Sequence, residues 1–141
     1  MIDVYAVHAV PEGAGRGRIG PLQTAVPLPG LLRRIKRALG VGKVLVAGRR
    51  TGRITTAACC EGSCGEMFRS AAAGGAQVYV TGEMGHHDAS AAATARMAVV
   101  CVGRWRSERI TLAKLAPRIV DALPQLRVSI SKADHDPLEV L

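Results

Sequence analysis

Residues 54–88 read ITTAACC-EGSCG-EMFRSAAA-GGAQ-VYV-TGEMGHHD, and the fold is decided there. Ile54–Cys60 is a seven-residue run of β-branched and small apolar residues, the composition of a buried strand. Gly62-Ser63-Cys64-Gly65 is a turn, and Glu66–Ala73 has helical composition stopped by Gly74-Gly75. Gln77–Val80 is a second short strand. It is followed by Thr81-Gly82 and a cluster of ionisable groups: Glu83, His86, His87 and Asp88.

Working outward, Asp88–Arg96 is an Ala-rich helix and Ala98–Val102 an apolar strand. After a loop at Gly103–Ser107, a long helix is expected to run to Leu123, kinked by Pro117. Leu126–Ser131 is expected as a last strand. Towards the N-terminus, Lys43–Ala47 is a strand. Pro29–Leu39 is a helix with Pro in its first turn and Gly40 at its stop. Its apolar set Leu31, Leu32, Ile35 and Leu39 keeps helical spacing. Pro11–Gly30 reads as a Gly/Pro-rich connector and Ile2–Val10 as a strand. From Ile54 onward strands and helices alternate. This predicts an α/β class, a mostly parallel sheet flanked by helices on both faces, in one domain over residues 1–141.

In such a sheet, sites form past the carboxyl ends of strands. The loops Glu61–Gly65, Gly82–Asp88 and Gly103–Glu108 should therefore share one rim. Glu, His and Asp bind divalent metals or move protons. Asp88 also suits the N-cap of its helix, and Ser107-Glu108 suits the start of the next one. Ser63 and Gly65 open a helix and, with Arg104, are candidates for holding an anion.

The composition excludes several classes. The chain has 141 residues, 48% apolar and 21% charged, a globular balance. No apolar run reaches the ~18 residues of a membrane span. Met1-Ile2-Asp3 starts neither a signal peptide nor an Arg-rich transit peptide. The cytoplasm is the expected location, with the mitochondrion left open. Residues 1–56 hold ten Lys/Arg against two Asp/Glu, whereas residues 57–141 hold nine of each. That basic first segment admits nucleic acid or a phosphorylated ligand. The scarcity of aromatic residues among its arginines argues against single-strand binding. The only Trp, Trp105, lies between Arg104 and Arg106. Cys59, Cys60, Cys64 and Cys101 lack the C-x-x-C spacing of zinc sites and read as buried free thiols in a reducing compartment.

The order of these motifs resembles the NIF-three-like family (NGG-one-interacting factor three-like; YbgI-type dinuclear-metal-centre proteins; GTP cyclohydrolase 1 type 2 homologues). The likeness starts at Gly15-Arg16-Gly17-Arg18-Ile19-Gly20-Pro21-Leu22, similar to G-x-G-R-I/L-x-x-L. It continues through the Gly-Ser-x-Gly loop and is strongest at Val78–Asp88, similar to D-x-Y-x-T-G-E-x-x-H-H-D. Ser131–Leu141 resembles the eukaryotic branch's S-x-x-D-x-D-P-L-x-V. The resemblance implies an α/β fold, a homo-oligomer, often a ring, and paired divalent metal ions facing inward.

The family's ligands come from a His-His pair, an H-T-x-x-D motif and a G-H-x-x-x-E motif. Here Glu12 stands in the Asp place within Tyr5–Glu12, and residues 1–27 look like a remnant strand plus connector. Gly103-Arg104 stands where Gly-His is expected, and Glu108 matches a ligand outright. A guanidinium in an imidazole's place opposes bound dications. Arg104 is expected to pair with Glu108.

Three functions follow as expectations. The first is a shortened member with a degenerate metal site, acting through oligomerisation or protein contacts. The second is a metal-dependent hydrolase-like protein whose site, drawing on Glu83, His86, His87, Glu108 and Glu12, is partial or completed by another chain. The third is a basic-face binder of nucleic acid or a phosphate ligand.

Overall fold

The computed structural model describes residues 15–48 and 51–138. Its centre is a five-stranded sheet: β1 (Arg18–Pro27), β2 (Leu45–Gly48), β3 (Arg53–Cys60), β4 (Val78–Thr81) and β5 (Ala98–Cys101). The strand order is β1-β3-β4-β5-β2. The β3–β4 and β4–β5 pairs are parallel, with Cys60 opposite Thr81 and Thr81 opposite Cys101. The outer pairs β1–β3 and β2–β5 are antiparallel, so the sheet is mixed, with a parallel centre.

Helices cover both faces: α1 (Leu28–Leu39), α2 (Phe68–Ala73), α3 (His86–Thr94), α4 (Arg104–Arg109) and α5 (Leu112–Ala122). Period-two alternation divides the core. Tyr79 and Val99 face Phe68, Ala71 and Ala92 on the α2–α3 side. Val78, Ala98 and Val100 face Leu28 and Leu31 on the α1 side. The predicted stripe of α1 packs there, with Leu32, Ile35 and Leu39 at its margin. Gly40 ends the helix at φ 64°, and its N–H bonds the Lys36 carbonyl.

Several sequence expectations are corrected. Much of the Gly/Pro-rich connector is strand β1, which pairs with β3 from Arg18–Cys59 to Pro27–Arg53. An edge strand tolerates Pro21, and the register slips between Pro21 and Val26 as a bulge. Helix α3 begins at His86 after an extended Gly85, two residues before Asp88. Asp88 is therefore not the cap; it lies in the first turn and pairs with Arg69 Nη1 at 3.0 Å. The helix after Gly65 opens as a 3₁₀ turn, Gly65–Met67.

The expected loop at Gly103–Ser107 is instead helical from Arg104, because Gly103 alone makes the turn, and the long helix becomes two, α4 and α5, parted at Ile110-Thr111. There the Thr111 hydroxyl donates to the Glu108 carbonyl at 2.6 Å, competing with helical pairing. Leu126–Ser131 forms no strand. It is largely exposed, and Arg109 Nη2 donates to the Ser131 carbonyl instead. The expected strand Ile2–Val10 lies outside the described residues.

Candidate functional site at the strand-end rim

The three predicted rim segments meet past the carboxyl ends of β3, β4 and β5, the third of them as helix α4. The Gly62 carbonyl accepts from Glu83 N–H at 3.0 Å, and the Gly82 carbonyl from Gly103 N–H at 2.9 Å. Ser107, on α4, fastens the third segment. Its buried hydroxyl accepts from Gly62 N–H at 2.9 Å and donates to the Arg104 carbonyl at 2.7 Å. Gly82 is where these loops touch. A Cβ there would lie 2.5 Å from the Gly62 carbonyl oxygen and 2.6 Å from Ser107 Oγ. Gly103 turns at φ 90°, a conformation that glycine adopts freely, and so launches α4.

That turn places Arg104 over the rim. Its Nε lies 3.2 Å from Glu108 Oε1, one helical turn on, and its Nη1 lies 3.9 Å from Glu83 Oε1. The expected Arg104–Glu108 pair is thus formed, and Glu83 joins it. All three side chains are about half exposed, so the pairs fix charge placement more than stability. His86 and His87 are exposed in the first turn of α3, rings edge-on with centroids 6.5 Å apart. Among the described residues, no three His, Cys, Asp or Glu side chains are grouped to hold an ion. Glu12 lies outside those residues.

A cleft of about 850 Å³ opens beside the rim. Arg16, Arg18, Arg104 and Ser63 line it, with Glu61 and Glu108 as the opposing charges. Arg18 Nη1 donates to the Gly15 and Gly17 carbonyls. Gly65 is buried, and a Cβ there would meet Met84. The Met67 N–H is taken by the Cys64 carbonyl. Of the three anion candidates, Ser63 and Arg104 therefore line the cleft and Gly65 does not.

All four thiols are free. Cys60 and Cys64 are buried as expected, Cys101 partly so, and Cys59 is exposed. Burial pushes the Cys60 thiol up to about 12, with the Cys64 thiol and then Glu61 adding to it. Burial also raises Tyr79, and its hydroxyl donates to the Cys64 carbonyl at 2.7 Å.

Two features escaped the sequence. Ser107 looked like a helix start, and nothing in the order of residues marks it as the tie between loops. Trp105 is engaged within the chain: its Nε1 donates to Asp134 Oδ1 at 2.9 Å. Arg106 and Arg109 lie over its ring, and Arg109 Nε pairs with Asp134 at 2.6 Å.

These features define an α/β protein with three strand-end loops lashed around an arginine-topped rim. The family model of Duf34/NIF3 (NGG1p interacting factor 3) matches residues 2–137, and the chain belongs to that family. NIF3-like protein 1 of Rattus norvegicus is 32% identical over 137 residues, covering 90% of this chain and 34% of its own length. A GTP cyclohydrolase 1 type 2 homolog of Mycobacterium tuberculosis is 33% identical over 109 residues, covering 75% of this chain and 29% of its own. The chain thus spans about a third of the length of these curated relatives. The crystal structure of Staphylococcus aureus protein SA1388 superposes with a TM-score of 0.78 at 23% identity, over 90% of this chain and 42% of that one. A Bacillus cereus protein related to NIF3 gives 0.73 at 29% identity, over 90% and 36%. Among the described residues, no helix is long and apolar enough to cross a membrane.

Proposed function

We propose that this chain is a family member with a degenerate metal site, acting through self-association or protein contacts rather than catalysis. The observation that carries the reading is Arg104, whose guanidinium reaches both Glu83 and Glu108. A dinuclear centre needs several anionic or neutral-imidazole donors to offset two dications. A permanent cation among the carboxylates works against that, and Arg cannot give up its proton. The residues present on this rim do not fit such a centre. Support for a contact role comes from the C-terminal third, where Ile110, Leu115, Val120, Leu123, Leu126 and Ile130 are all between 38% and 49% exposed.

The test is metal content by mass spectrometry after equilibration with zinc or manganese, for the natural chain beside Arg104→His. The expected result is little metal in the natural chain and a gain in the variant. A stoichiometric complement in the natural chain would sink the reading and point to a site completed between chains.

One observation favours a second reading, an anion-binding cleft: Arg16, Arg18 and Arg104 line a single cavity with Ser63. Calorimetric titration with inorganic phosphate tests it. Binding that disappears in Arg104→Ala and weakens steeply with salt is the expected signature.

A further inference from the structure

Cys60 ends β3, and Cys64 stands four residues later, at the far side of the turn Glu61-Gly62-Ser63. Both are 3% exposed, yet both contribute to the wall of the rim cleft. They belong to one packed cluster of buried side chains, with Tyr79 and Met67. Arg16 reaches across from just before β1, and its Nη2 lies 3.5 Å from Cys64 Sγ. The turn between the cysteines is the one whose Gly62 is tied to Glu83 and Ser107. The neighbouring Cys59 is exposed and also borders the cleft, so it is the competing thiol. Two thiols one turn apart, in one wall and under a guanidinium, have no part in the rim's ion pairs.

We propose that Cys60 and Cys64 form a reversible intrachain disulfide by exchange with a small-molecule disulfide of the glutathione type entering the cleft. The inference does not depend on whether a metal binds.

The exchange balances as follows. The Cys64 thiol loses its proton to water, and its sulfur attacks one sulfur of the incoming disulfide. A mixed disulfide forms, and the first small thiolate leaves. Cys60 then loses its proton and attacks the Cys64 sulfur, expelling the second small thiolate. Two protein thiols are oxidised by two electrons, the small disulfide is reduced to two thiols, and the released thiolates take up the two protons. Arg16 places positive charge beside the sulfur that attacks first, the setting that makes a thiolate reactive. Cys64, the thiol within reach of Arg16, is therefore the first nucleophile and Cys60 the resolving one. The product ring encloses Gly62, so oxidation pins the turn that joins the three rim loops.

The experiment equilibrates the full chain in glutathione buffers of graded poise, quenches in acid and alkylates the remaining thiols. Digestion with a Glu-specific protease then cuts after Glu61, leaving Cys60 and Cys64 on separate peptides. The expected result is that these peptides remain joined under oxidising poise and separate on reduction, in the natural chain and equally in Cys59→Ser. Arg16→Ala is expected to slow oxidation by ~3–10-fold. Full alkylation of Cys60 and Cys64 at the most oxidising poise would overturn the proposal. So would a linkage that vanishes in Cys59→Ser, which would assign the bond to the exposed neighbour. Equal oxidation rates with and without Arg16 would overturn Cys64 as the first nucleophile.

Discussion

Ser107 is the residue on which the rim depends. Its hydroxyl satisfies a buried Gly62 N–H and donates to the Arg104 carbonyl, linking the loops after β3 and β5. Ser107→Ala leaves that N–H without its partner, at a cost of about 1–3 kcal/mol, measurable by urea denaturation. Gly82→Ala acts on the same contact by steric overlap, since its Cβ would enter the space of the Gly62 carbonyl and Ser107 Oγ. The cost should again be about 1–3 kcal/mol, with the Arg104 cluster displaced. A third prediction concerns pH. The Cys60 thiol is raised from an ordinary 9.0 to about 12, so the folded chain retains a proton that the unfolded chain releases. Stability is therefore complete below pH 9 and falls as pH rises towards 12. Tyr79, also raised by burial, contributes in the same direction. Under reducing conditions, Cys60→Ser should flatten part of that alkaline decline in thermal denaturation.

At the scale of elements, the central strands and α1 were legible because their side chains report their surroundings. Continuous apolar runs mark β4 and β5, and Leu31 and Ile35 keep a 3.6-residue period. β1 was illegible because backbone pairing at a sheet edge needs no particular side chain. Its Gly and Pro residues gave the signal of a loop while its amides and carbonyls paired with β3. The expected strand at Leu126–Ser131 failed for the opposite reason: apolar alternation is present, but the segment is exposed and tied down by Arg109. The helices separate in the same way. Leu31 is 7% exposed in the core beneath α1, so Leu31→Ala should cost about 2–5 kcal/mol. Leu115 on α5 is 49% exposed, so Leu115→Ala should change stability by less than about 0.5 kcal/mol. Equal effects by chemical denaturation would mean that α5 is packed in solution against something absent from the isolated chain.

For the whole molecule, the rim was foreseen because topology alone sends three loops to one end of a parallel centre. The pairing of Arg104 with Glu108 was foreseen because a cation stands where the family's imidazole is expected, close in sequence to a retained carboxylate. Glu83 joining them, Ser107 tying the loops and Arg16 reaching Cys64 span up to 48 residues of sequence, and no local pattern encodes such contacts. The same separation of local from global governs how the chain meets its neighbours. Its basic excess lies in residues 1–56, whereas six of the exposed large apolar side chains among the described residues lie between Ile110 and Ile130, with Leu45 and Leu138 outside that stretch. Contacts made by the first would be electrostatic and weaken with salt; contacts made by the second would not. Sedimentation velocity at about 50 mM and about 500 mM salt separates these cases. If the apolar segment drives assembly, the chain self-associates equally at both salt levels, and Leu115→Lys with Leu123→Lys makes it monomeric without loss of fold. Association that vanishes at high salt would move the contact to the basic segment. A monomer under both conditions would remove self-association from the proposed function and leave other proteins as the partners of α5.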